Sequence, residues 1–95
     1  MRRALATERY GPWYMSVLKY KGRRYEILFG SDVQRDCVYL ELSDRSTEPF
    51  EILAEVIYYD ELGKVVFSCY REEVPFPLIQ WLLEEVAKES WPLTV

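Results

Sequence analysis

LIQWLLEEVAKES, residues 78–90, follows the Pro-rich step Val74-Pro75-Phe76-Pro77 and decides how the rest of the chain is read. At about 100° per residue, Leu78, Leu82, Val86, Ile79 and Leu83 fall within an arc of roughly 140°. Gln80, Glu84 and Lys88 lie opposite, and Pro77 suits a first helical turn, where a missing N–H costs nothing. The spacing predicts a helix over residues 78–90. A helix apolar on one side needs a partner surface, and the residues before it alternate with the period of a β-strand. The fold expected is therefore α+β: a five-stranded antiparallel meander sheet with one C-terminal helix packed on one face.

Immediately upstream, Phe50–Tyr59 is the longest predicted strand, with Phe50, Ile52, Ala54, Val56 and Tyr58 on one side and Glu51, Leu53, Glu55, Ile57 and Tyr59 on the other. Asp60-Glu61-Leu62-Gly63 is a turn by composition, and pairing across it sets Tyr58 by Val65, Val56 by Phe67 and Ala54 by Cys69. Further back, Cys37–Leu42 directs Val38, Leu40 and Leu42 to the helix side, between the polar connections 30–36 and 43–49. The first hairpin joins Trp13–Lys19 to Arg23–Phe29. A two-residue Lys21-Gly22 loop would pair Tyr14 with Phe29. A three-residue loop with a glycine bulge pairs Met15 with Ile27 and Val17 with Tyr25, and is preferred because it makes one face wholly apolar. Residues 1–12 are expected to form an N-terminal arm ahead of a single α+β domain, 13–95. The tail Trp91–Val95 is expected to fold back onto the sheet.

The chain of 95 residues is long enough for one core, and its 49% hydrophobic and 16% aromatic content argues against disorder. Two cysteines and a start, MRRALATERYGPW, without a long apolar segment predict a cytoplasmic protein with free thiols. Charge is unevenly placed. Residues 1–24 carry seven bases against one acid, whereas residues 25–95 carry five bases against fifteen acids.

Chemistry is sparse. Histidine is absent from the sequence, which removes the commonest general base and metal ligand. Cys37 and Cys69 lack metal-ligand spacing, the four glycines form no phosphate loop, and the acids read as a solvated surface. No catalytic residue, metal site or cofactor is expected.

What remains is the sheet face away from the helix. Tyr14, Leu28, Tyr39, Leu53, Ile57, Val66 and Tyr70 are assigned to it, an apolar, tyrosine-rich set where a solvated face would alternate to Lys, Glu and Thr. Trp81, at the border of the helix's apolar arc, is either a flap over the sheet or a partner anchor. The function expected is a small acidic, non-catalytic protein-binding module that docks on a partner protein or on a second copy of itself as a homodimer. Its size, acidity and class are those of small immunity proteins, antitoxins and adaptors. The alternative is a single-stranded nucleic-acid binder using Lys19, Lys21, Arg23 and Arg24 with the sheet tyrosines. A curved sheet followed by a helix resembles in outline the Whirly arrangement, which implies nucleic acid carried on the strands. The net charge of −4 opposes a polyanion, so nucleic acid is not the expected partner.

Overall fold

The computed structural model describes residues 14–94. Five strands, β1 (Tyr14–Tyr20), β2 (Arg23–Asp32), β3 (Cys37–Asp44), β4 (Glu51–Tyr59) and β5 (Lys64–Cys69), precede the helix α1 (Phe76–Ala87). The sheet is an antiparallel meander in chain order, as the alternation predicts. The arm assigned to residues 1–12 lies outside the described residues.

The β4–β5 hairpin has the expected register, with Tyr58 opposite Val65, Val56 opposite Phe67 and Ala54 opposite Cys69. Its turn is closed by Leu62 N–H to Tyr59 C=O at 3.1 Å and Gly63 N–H to Asp60 C=O at 3.2 Å. α1 begins at Phe76, two residues before the expected start, because Pro75 and Pro77 both fall where no intrahelical N–H is required. Leu78, Leu82 and Val86 are buried against Ile27, Phe29, Leu40, Leu42 and Val56, which form the main core. The tail does return to the sheet: the Trp91 ring stacks on Tyr58 at 5.5 Å and leans on Phe29 at 6.2 Å.

Three details depart from the pattern-based expectation. The first hairpin uses the two-residue loop, so that Tyr14 stands opposite Phe29, Ser16 opposite Ile27 and Leu18 opposite Tyr25. Lys21 and Gly22 adopt φ of 51° and 79°, the positive pair of a type I′ turn, whose twist matches that of the flanking strands. Leu18 and Tyr20 therefore pack against the core, while Met15 and Val17 are on the other face and half exposed.

The second departure is in β4. Leu42 pairs with Ala54 but Ser43 pairs with Ile52, leaving Leu53 as the extra residue of a β-bulge. The bulge turns Leu53 from the outer face into the helix-side core, where it is fully buried. Its carbonyl accepts the Tyr70 N–H at 2.8 Å. The third is the length of β2, which runs on through Gly30-Ser31-Asp32 instead of ending at Phe29. Gly30 faces Tyr39, and a Cβ there would meet the Tyr39 hydroxyl at 2.5 Å, so the ring lies across the glycine and the ladder continues.

Candidate functional site

Among the described residues, the helix leaves an apolar surface open toward β5. α1 lies over β3, in the middle of the sheet. A helix is about 10 Å across and five strands span about 20 Å, so one helix cannot cover the full width. Trp91 fills part of the remainder over Phe29 and Tyr58. The strip between α1 and the edge strand β5 stays uncovered. There Val56, Val65 and Phe67 of the sheet, Leu83 and Val86 of the helix and Leu93 of the tail line a groove of about 330 Å³. Phe67 is 51% exposed, Leu83 51% and Leu93 50%, values normally found for polar side chains. Cys69, at the end of β5 opposite Ala54, is exposed as well.

Beside the groove, β5 (KVVFSC) is a sheet edge carrying a single charge, Lys64. Among the described residues no strand pairs with its outer edge, a position that natural sheets usually guard with charge, proline or a bulge.

The outer-face residues expected to meet a partner are not brought together as a surface. Leu28, Tyr39 and Ile57 are buried in a second cluster with Cys37, and Leu53 is on the helix side. Val66 is half-buried against the second cluster, and Tyr70, though exposed, gives its hydroxyl to the Glu55 carboxylate. Tyr14 is placed by its backbone pairing with Phe29. Trp81 acts as a flap, half-buried against the main core. Phe67, Leu83 and Leu93 were the residues that pattern reading missed. The available signal was the breadth of the helix's apolar arc, since Leu83 at its far flank exceeds what the strands beneath can cover.

The basic residues of the first hairpin are divided. Arg23 donates from Nε at 3.0 Å and Nη2 at 2.9 Å to Asp44 Oδ2, and Arg24 Nη2 lies 2.7 Å from Glu26 Oε2. The Asp44 carboxylate holds the Arg23 guanidinium above its ordinary value. Burial pushes the Asp44 carboxyl up, but the Ser46 amide at 2.9 Å and the Arg23 guanidinium outweigh it and hold it below the usual carboxylate range. Lys19 and Lys21 are exposed, with the Lys21 ammonium 5.8 Å from the Tyr20 ring centre.

A wider cleft of about 720 Å³ between Arg23, Tyr25, Arg71 and the segment Glu72–Pro75 mixes both signs of charge, and its two arginines face Asp44 and Glu51. Among the described residues no group of three or more Cys, Asp and Glu side chains has the geometry to hold a metal ion. No helix among them is long and apolar enough to cross a membrane. No family model, no curated protein and no solved structure matches the chain.

Proposed function

We propose that this chain is a small, acidic, non-catalytic protein-binding module, and that its docking site is the groove between β5 and α1 with the open edge of β5 beside it. One observation carries the reading. Three large apolar side chains, Phe67, Leu83 and Leu93, are each half exposed and line the same groove. Scattered exposed leucines are ordinary, but convergence of three on one concavity next to a free strand edge is the composition of a strand-addition site. An incoming strand gains backbone hydrogen bonds from β5 and side-chain pockets from the groove. A second copy is the simplest partner, because an isologous contact pairs one edge and one groove with themselves.

The nucleic-acid reading has less support. Two of its four bases, Arg23 and Arg24, are engaged by Asp44 and Glu26, so they are not aimed at phosphates. An enzymatic reading has none beyond carboxylates, and Glu26, Asp44, Glu51 and Glu85 are each within salt-bridge distance of a base.

Sedimentation velocity across a concentration series tests the proposal. The wild type is expected to self-associate and Phe67→Lys to be monomeric, with the helix and sheet signals in circular dichroism unchanged. A monomeric wild type, from which no extended peptide selected for binding is rejected by Phe67→Lys, would remove this groove as a docking site.

A further inference from the structure

We propose that the strand entering the β5 edge is β5 of a second copy, antiparallel, with Phe67 of each chain facing Phe67 of the other across a twofold axis. The inference rests on the docking site proposed above and fixes its occupant and its register. It begins from the backbone. The Tyr70 N–H donates to the Leu53 C=O at 2.8 Å, just beyond the facing pair Cys69 and Ala54. In an antiparallel ladder that bond flanks a non-hydrogen-bonded pair, whose own N–H and C=O groups point away from the neighbouring strand. The alternation repeats every second residue, so Val65, Phe67 and Cys69 all turn their backbone groups outward from β4. Among the described residues no strand meets them. Their side chains are on the helix side, opposite Tyr58, Val56 and Ala54, and Val65 and Phe67 line the groove.

Three outward residues at equal spacing, centred on Phe67, form a self-complementary set. With the axis at Phe67, that residue faces its own copy, Val65 faces Cys69 and Cys69 faces Val65, and each pair exchanges two hydrogen bonds. No outward group of the strand is left over. An axis at Val66 would set Cys69 against Gly63, which lies in the turn with φ of 62°. An axis at Ser68 would set Val65 against Arg71, beyond the end of β5. Charge agrees with a second copy. The net −4 opposes close contact between copies over much of the surface, but the span from Val65 to Cys69 is uncharged. Lys64 would face Tyr70, which sets the two Lys64 residues about 20 Å apart, beyond the screening length of about 8 Å. On the groove side the two Phe67 rings, each 51% exposed alone, cover one another's edges. The two grooves then join into one apolar strip, with Leu83 and Leu93 from both chains.

Val65→Cys in the full-length protein places a thiol opposite the exposed Cys69 of the other copy. Mild oxidation is expected to give a covalent dimer, its 65-to-69 disulfide located by peptide mass spectrometry, and the dimer is lost when Cys69→Ser is added. Within one chain these positions are about 13 Å apart, too far for a disulfide, whose Cα atoms lie within about 7 Å. Should Val65→Cys disturb the core, Val66→Cys and Ser68→Cys, each with Cys69→Ser, give the second measurement. Neither is expected to cross-link alone, and an equimolar mixture is expected to join one to the other, since these positions face each other at about 4.5 Å. Cross-linking of Val66→Cys alone would move the axis to Val66 and overturn the register. A dimer that Phe67→Lys dissolves but that cross-links at none of these positions overturns the inference and spares the groove as a docking site. A wild type that stays monomeric yet binds an extended peptide rejected by Phe67→Lys overturns only the second copy. A monomer for which no such peptide is found removes the docking site as well.

Discussion

Replacing Leu82 and Leu83 separately by alanine distinguishes the helix placement seen here from any rotated or undocked alternative. The two leucines are neighbours in sequence, have the same helix propensity and differ only in what surrounds them. Leu82 is completely buried under β3 and Leu83 is 51% exposed at the groove. Each substitution removes three carbon groups, worth about 2.4 kcal/mol if all leave a dry site. At Leu82 the surrounding core cannot fully collapse, so a cavity term is added and the expected cost is about 3–4 kcal/mol. At Leu83 about half of that surface already faces water and the vacated space opens to solvent, so about 1 kcal/mol is expected. Urea melts of both variants, with unchanged m-values as the check on two-state behaviour, measure the difference. Equal losses, or a larger loss at Leu83, would refute the orientation of α1. A loss below about 0.5 kcal/mol at both positions would mean that the helix is not docked on the sheet.

The bulge makes a similar prediction: Leu53→Ala should cost about 2–5 kcal/mol in the same melts, and a cost near that of a surface change would remove Leu53 from the core. The Asp44 carboxyl, held below its ordinary value in the folded chain, binds fewer protons folded than unfolded. The stability it contributes is therefore complete above the unfolded value of about 4 and is lost as pH falls through the lower folded value. Asp44→Asn is expected to lower the urea midpoint at pH 7, with the gap to wild type closing progressively below about pH 4; a gap independent of pH would mean that the ion pair with Arg23 does not stabilise the fold.

Periodicity was sufficient for the architecture because each element meets its environment mainly through the side chains it turns inward. In β4 and β5 the alternation and the Asp60–Gly63 turn specify one register, and a slip by one residue would exchange the buried and exposed sets. The α1 stripe required a sheet partner, and Leu78, Leu82 and Val86 fill that role. The same reasoning could not choose between registers of the first hairpin, because β1 has apolar residues at both phases: Met15 and Val17 on one, Leu18 and Tyr20 on the other. The choice fell to the twist of the Lys21-Gly22 turn, which sets Leu18 opposite Tyr25 and Ser16 opposite Ile27.

Leu53 exposes a deeper limit. Its strand carries apolar residues at both phases, Ile52 and Ala54 on one and Leu53 and Ile57 on the other, and no residue type marks a bulge. The extra residue exists only in relation to β3, where Leu42 and Ser43 take Ala54 and Ile52 as partners and pass Leu53 by. The candidate site has the same origin. Leu83 and Phe67 are sound core residues by pattern, and they become a half-exposed groove because α1 settles over β3 and stops short of β5. Period tells which side of an element is apolar. Whether that side is covered depends on the width of the sheet, the diameter of the helix and the line along which the two meet, and those are set only when the layers pack.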